Sequence, residues 1–371
     1  MCIKTTFTII APVSSLSNRT RLFKLANFLF NDKKVNSLKH IAWIRDASEA
    51  IEKELPTHKI ETKALITGGG YGGKLTKLLY IWWMLRVFGY CLLRKDNSPI
   101  WALGFETAFP ALLAAKIRKF DIIFDDADRF SLVFPFPSFI KRCIQALEEY
   151  TSTRVLMHVI PGEDRYKQLS KNMFTLKNTP SREELSKAKK LYRENNWPTS
   201  KIIININGWL GKDRGMNAAL YIANKFQSDE IKFIVAGKVD CKAAQELISL
   251  DNVSYLGKVS NAMALASYFS SDYVLTYYDP AIEINKFAQS NKWGDALSTN
   301  TNIIVNSEVK TAKSLRKYPG TIMVPYHDTD LLIKILRQKL TTFKEQQTNC
   351  SGTQPVCFEQ QLHDLFNKAI C

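Results

Sequence analysis

The sequence predicts two doubly wound α/β domains, each a parallel sheet with helices on both faces. Three observations carry this. The chain has 371 residues, enough for two domains of the usual ~150. Its second half alternates short β-branched runs with amphipathic stretches, as in strands buried on both faces and joined by crossover helices. Its first half repeats the alternation less regularly. The expected domains are 1–170, 171–345, and a polar tail with a C-terminal helix over 346–371. Two such domains imply a central cleft, and open parallel sheets bind ligands beyond the carboxyl ends of their strands.

The elements follow in order. Phe7–Pro12 is a short apolar run, and Arg19–Phe30 has helical spacing through Leu22, Leu25, Ala26 and Leu29. A strand over Lys63–Thr67 leads into a glycine cluster. Ile100–Phe105 and Phe120–Phe124 read as strands on either side of a helix over Ala108–Lys119. Residues 171–200 are polar and suit a linker followed by a charged helix. Strands are then expected at Lys201–Asn207, Ile231–Ala236, Val253–Leu256, Tyr273–Tyr277, Asn302–Val305 and Thr321–Val324. Helices are expected at Met216–Phe226, Ala243–Ser249, Ala262–Phe269 and Lys292–Ser298. Residues 343–356 read as a loose polar stretch, and Phe358–Ile370 is amphipathic.

Composition narrows the class. Apolar residues make up 46% and charged ones 23%, which excludes a disordered chain, a collagen-like fibre and a coiled-coil rod. Lys+Arg 51 against Asp+Glu 35 leaves a net charge of +16, which favours an anionic partner. Seven cysteines without a C-x-x-C pair, and only five histidines, argue against a zinc site and for a reducing compartment. The N-terminus has too short an apolar stretch for a signal peptide. A cytoplasmic protein is expected.

Leu78–Leu93 holds one charge, Arg86, in sixteen residues. As a helix it would be roughly 24 Å long, short of a ~30 Å bilayer core. Its aromatics and flanking cations suit a helix lying in a membrane interface; the other reading is a largely buried helix of an α/β domain.

Three glycine-containing turns bear on chemistry. Gly68–Lys74 matches the G-x-x-x-x-G-K of a phosphate-binding loop, and Asp121–Asp126 imitates a strand ending in a magnesium-binding aspartate. Leu75, however, stands where the metal-binding hydroxyl belongs. The glycines otherwise read as a turn needing positive φ. Asn207–Gly215 follows a strand and opens a helix, with Lys212 and Arg214 able to meet an anion. Residues 277–305 place Glu283, Asn285 and Lys286 in a loop, then Asn291, Lys292 and Asp295 in the first turns of a helix. That helix start suits a second phosphate. Asp295 suits ribose hydroxyls or merely the helix dipole.

The last segment resembles the nucleotide-sugar site of GT-B glycosyltransferases, family 4 above all. The matching residues are Pro280, Asn285, Ala288, Ser290, Asn291, Lys292, Asp295, Ala296 and Leu297, then Ile303–Val305. Asn207–Gly215 is similar to that family's phosphate loop, with Gly208 and Gly215 in register and Arg214 at its lysine. Ala102–Thr107, with Glu106, and Phe124–Asp128 resemble its acceptor-side segments. Three positions depart. Phe287 replaces the first of the usual two glutamates, Trp209 replaces an arginine, and Ala127 replaces a histidine.

The resemblance implies a retaining hexosyltransferase of bacterial surface-polysaccharide synthesis, such as lipopolysaccharide or capsule. Gly208, Lys212, Arg214, Glu283, Asn285, Asn291, Lys292 and Asp295 would bind a UDP- or GDP-linked sugar as substrate. Glu106, Asp126 and Asp128 would face the acceptor, a lipid-linked oligosaccharide. Neither cofactor nor metal is expected, because the cations take the metal's place. The enzyme would be peripheral on the inner face of the cytoplasmic membrane, held to the anionic surface through residues 74–95. Two competing readings are an NTPase using Gly68–Lys74 and a basic, non-catalytic nucleic-acid binder. No nucleic-acid module is visible, so nucleic acid is not an expected partner.

Overall fold

The computed structural model describes residues 6–33, 35–52, 55–70, 74–166, 169–342 and 355–370. The chain divides into two compact units, Met1–Lys177 with Glu359–Cys371, and Asn178–Phe358.

The first unit holds seven strands: β1 (Thr6–Ala11), β2 (Ser37–Ile44), β3 (Ile60–Thr67), β4 (Ile100–Leu103), β5 (Ile122–Asp125), β6 (Met157–Ile160) and β7 (Met173–Thr175). Its helices are α1 (Thr20–Asn31), α2 (Lys74–Leu93), α3 (Phe105–Arg118), α4 (Phe130–Val133) and α5 (Ser138–Ser152). The strands lie in the order β3-β2-β1-β4-β5-β6-β7 and pair in parallel throughout. The direction of winding reverses between β1 and β4, where a crevice opens at the carboxyl edge of a sheet.

The second unit starts with α6 (Arg182–Glu194). Strands β8 (Ile202–Leu210), β9 (Ile231–Val239), β10 (Val253–Tyr255), β11 (Tyr273–Thr276), β12 (Asn302–Asn306) and β13 (Ile322–Val324) follow, interleaved with helices. These are α7 (Met216–Ala223), α8 (Lys242–Leu247), α9 (Asn261–Phe269), α10 (Asn291–Thr299) and α11 (Thr329–Thr342). The order β10-β9-β8-β11-β12-β13 repeats the first sheet's winding, with the reversal between β8 and β11. A reciprocal cap starts α6: Ser181 Oγ accepts from the Glu184 amide at 3.0 Å, and Glu184 Oε2 accepts from the Ser181 amide at 2.7 Å.

The expected boundary at 170 falls short. β7 lies beyond it and pairs with β6, so the first unit runs to Lys177. The C-terminal helix α12 (Phe358–Ile370) is no separate tail either. Phe366 stacks on Phe28 with centroids 5.7 Å apart and meets Phe7 edge-on at 6.3 Å, so its apolar face completes the first unit's core. Residues 343–354, read as a loose stretch, lie outside the described residues.

Strands β2, β6 and β7 go beyond the sequence pattern. β6 and β7 have four and three residues, too few to show a period. β2 carries Lys39 and His40 inside an apolar run. His40 is buried, and burial pushes its pKa down to about 3, so the ring is neutral in the core.

Helix α2 divides its aromatics between core and surface. Trp83, Val87 and Cys91 are fully buried against α3 and the sheet, whereas Trp82 points outward and is 50% exposed. No described helix is long and apolar enough to cross a membrane.

Candidate functional site

In the second unit the sequence candidates gather at the reversal point between β8 and β11. β8 ends in Asn207, Gly208, Trp209 and Leu210. Gly208 has φ +97°, and a Cβ there would stand 3.7 Å from Cε and 4.0 Å from Nζ of Lys292. The lysine, second in α10, thus lies over the Gly208 backbone. Gly215 has φ +73° and packs on Tyr277 so closely that a Cβ would overlap the tyrosine's own. This approach brings the turn Lys212–Arg214 against the end of β11. The Asp279 amide donates to the Asp213 carbonyl at 3.1 Å and joins the two loops.

Arg214 faces inward from that turn. Its guanidinium lies 4.8 Å from the Tyr278 ring centroid and 5.9 Å from that of Trp209. Tyr278 is buried, and the Asn306 side chain clamps its backbone, accepting from the Tyr278 amide at 2.9 Å and donating to its carbonyl at 3.1 Å. The Tyr278 hydroxyl donates to Ser290 Oγ at 2.6 Å. Ser290 is the N-cap of α10, and its side chain makes no capping bond to the helix amides.

Charge is unbalanced here. Burial first, and then Arg214, push the Lys292 pKa down to about 8 against the opposing pull of Asp295. Asp295 also acts on buried Tyr268, whose hydroxyl donates to Asn207 Oδ1 at 3.3 Å. Arg214, Lys292 and Asp295 therefore share one region with Gly208. Lys212, Glu283 and Asn291 stand exposed on the neighbouring turns and helix start. Asn285, expected among the donor contacts, is buried, and its side-chain amide donates to the Asp279 carbonyl at 3.0 Å. It braces the loop. Trp209 is 45% exposed and is fixed by an Nε1 bond to Asp240 at 2.6 Å.

In the first unit the other candidates meet near the end of β4, again beside a reversal point. Gly104 has φ +82°, and a Cβ there would be 2.6 Å from Oε2 of Glu106. The Glu106 carboxyl folds back over the start of α3. Burial pushes its pKa up to about 7; its own amide and Arg45 oppose this, while Asp126 and Asp128 add to it. Asp126 is buried, accepts from the Tyr166 hydroxyl, and has His158 Nε2 at 3.6 Å. Asp128 is exposed. Asp125, in the strand that imitates a magnesium site, is paired with Arg21 at 2.8 Å and accepts from Trp101 Nε1 at 3.1 Å.

Gly68, Gly69 and Gly70 all have positive φ, which fits the turn reading of that stretch. Residues 71–73 of the NTPase candidate Gly68–Lys74 lie outside the described residues. Among the described residues no three His, Cys, Asp or Glu are grouped to hold a metal.

No family model and no curated protein matches the chain. Solved structures do, at low identity. Sucrose-phosphate synthase from Thermosynechococcus elongatus is 12% identical with a TM-score of 0.64, the match covering 99% of this chain and 97% of that one. Anabaena HepE, solved with UDP and glucose, is 12% identical with a TM-score of 0.63, covering 97% and 99%. UDP-GlcNAc 2-epimerase from Neisseria meningitidis, bound to UDP-GlcNAc, is 15% identical with a TM-score of 0.61, covering 98% and 99%.

The fold is GT-B. A GT-B scaffold does not choose a reaction, since these similar folds carry synthase and epimerase names alike. Several residues of this GT-B chain escaped the sequence pattern. Tyr278 and Asn306 support the Arg214 side of the second-unit cluster, and Tyr268 stands beside Asn207 and Asp295. His158 approaches Asp126 from β6, although residue 127, next to Asp126 in sequence, is alanine. A buried polar residue at a strand's carboxyl end was the available signal for Asn306, and a buried histidine inside the apolar strand β6 that for His158.

Proposed function

We propose that the chain is a retaining glycosyltransferase. It moves a hexosyl group from a UDP- or GDP-linked sugar to a lipid-linked oligosaccharide of a surface polysaccharide, lipopolysaccharide or capsule. Its place is the inner face of the cytoplasmic membrane. The observation that carries this is Lys292 lying over Gly208, with the Arg214 and Asp295 charges acting on it. A lysine over a glycine backbone at a helix start, with an arginine charge acting on it, suits a diphosphate. The fold likeness to proteins solved with UDP or UDP-GlcNAc supports the same ligand class.

In this reading Arg214 and Lys292 stabilise the negative charge that grows on the leaving diphosphate, in place of a metal. Lys212 adds long-range attraction from its exposed position. Asn291 and the first amides of α10 meet phosphate oxygens, Asp295 accepts from ribose, and Glu283 reaches the sugar. Asn285 keeps the loop in shape. Glu106 and Asp126 orient the acceptor hydroxyl, with Asp128 at the exposed edge. The acceptor's proton passes to the leaving phosphate.

The test is direct. Titration with UDP, GDP, ADP and CMP should raise the melting temperature for UDP or GDP, because a ligand that binds only the folded form stabilises it. Incubation with radiolabelled sugar nucleotides and a lipid-linked acceptor should then move label to the acceptor. Conversion of UDP-GlcNAc to its epimer without an acceptor would replace transfer with epimerisation as the reaction.

A further inference from the structure

The outer surface of the first unit is apolar where a water-facing helix layer should be polar. On α2, Leu78, Ile81, Trp82 and Leu85 are exposed at the i, i+3, i+4, i+7 spacing of a single helix face; Ile81 is 59% and Leu85 57% exposed. The opposite face, with Trp83, Val87 and Cys91, is the one in the core. Among the described residues, α2 therefore buries one apolar face in the core and leaves the other exposed.

The neighbouring helices continue the pattern. α3 packs beside α2, and α5 beside α3. On α3, Ile117 is 66% exposed and Leu113 also faces outward. On α5, Phe139 is 72% exposed, next to exposed Ile140. Exposed side chains of this size on three adjacent helices exceed the scattered apolar residues of an ordinary surface.

The charge among them has one dominant sign. Arg86 is exposed on α2, with its guanidinium 5.9 Å from the Trp82 ring. Lys116 and Lys119 are exposed at the end of α3, and Arg142 on α5. α2 contains no acidic residue. α3 has only Glu106, which is buried, and of the two glutamates on α5 buried Glu148 is paired with Arg129 at 3.0 Å. Cations beside tryptophan, leucine and isoleucine on one surface match anionic headgroups above acyl chains. A nucleic acid would leave the apolar residues in water.

We infer that the outer face of α2, α3 and α5 is a docking surface for an anionic phospholipid bilayer. Ile81, Trp82, Leu85 and Phe139 enter the headgroup layer, while Arg86, Lys116 and Arg142 pair with lipid phosphates. The inference deepens the proposed use of a lipid-linked acceptor and extends the contact beyond residues 74–95 to two further helices. It does not depend on the donor, because membrane binding is measured without nucleotide.

The full chain should be floated with vesicles of phosphatidylcholine containing roughly 30% phosphatidylglycerol, and with phosphatidylcholine alone. Strong flotation only with the anionic vesicles, reduced by salt, is expected. The exposed double variant Ile81→Asp/Trp82→Ser should lower vesicle affinity at least about tenfold with an unchanged melting temperature. Charge reversal by Arg86→Glu/Arg142→Glu should do the same, and gives a second route if the first variant folds poorly. Failure of the wild-type chain to float at low salt, or equal flotation with both vesicle types, would overturn the proposal. So would a dimer that Ile81→Asp/Trp82→Ser dissociates without loss of vesicle binding. Flotation without glycosyl transfer would leave this inference standing and remove the proposed reaction.

Discussion

The hydroxyl of Tyr278 donates to Ser290 Oγ across 2.6 Å. The N-cap residue of α10 is thereby tied to the ring that carries the Arg214 guanidinium at 4.8 Å. One hydrogen bond connects the arginine's platform to the helix that presents Lys292, so the two cations keep a common geometry.

Replacing Arg214 with Ala should weaken UDP or GDP binding by at least about tenfold, since a charge-assisted contact to phosphate is worth ~1.5–3 kcal/mol. Arg214→Lys should recover only part of the loss, because an ammonium lacks the planar stack on Tyr278. Isothermal titration measures both. Arg214→Ala binding as tightly as wild type would remove the arginine from the site.

Lys292 makes that binding depend on pH. Its pKa is held down to about 8 by burial and by Arg214. Only the protonated form attracts a diphosphate, and a bound anion favours that form. Nucleotide affinity should therefore fall as pH rises through about 8, with proton uptake on binding near that pH. Lys292→Met should bind more weakly and show a flatter profile between pH 7 and 9 (roughly one unit either side of the titration). Calorimetry in buffers of different ionisation enthalpy would detect the proton.

Glu106 shapes stability with the opposite charge logic. Its folded pKa is raised from 4.5 to about 7, so the folded state holds the proton more firmly than the unfolded chain. The stabilisation is complete below the unfolded pKa and is lost as pH rises through the folded one. Glu106→Gln, which mimics the protonated acid, should be near neutral at acidic pH and should stabilise the first unit above neutrality by on the order of 1–3 kcal/mol. Melting curves across that range test the sign. A variant equally destabilised at every pH would show that the carboxyl is needed as such.

Gly215→Ala should destabilise the second unit by about 2 kcal/mol or more. The position combines φ +73° with direct packing on Tyr277, so an added methyl meets backbone strain and steric overlap together. Denaturant midpoints give the loss. If the midpoint stays within error of wild type, the turn Lys212–Arg214 does not rest on Tyr277 as described.

Much of the second unit was legible because its strands are long and aliphatic: Ile202–Ile206 and Phe233–Ala236 are buried runs. The first unit was less so. β7 has only three residues, and α12 joins a core more than three hundred positions away in sequence, at Phe7 and Phe28. Within the candidate site, Arg214, Lys292 and Asp295 were visible from motif spacing. Nothing in the spacing of Asn285 says that its amide turns back to Asp279.

By itself the sequence determined the alternation of strands and helices, the excess of positive charge, and which turns must contain glycine. These follow from local sterics, hydrophobic period and simple charge, all of which act between near neighbours in the chain. Only the tertiary structure decided that Lys292 closes over Gly208, that Glu106 lies among carboxylates, and that Trp82 and Trp83 part to opposite faces of α2. Such outcomes rest on burial and on through-space distance between segments far apart in sequence, quantities that no linear spacing contains.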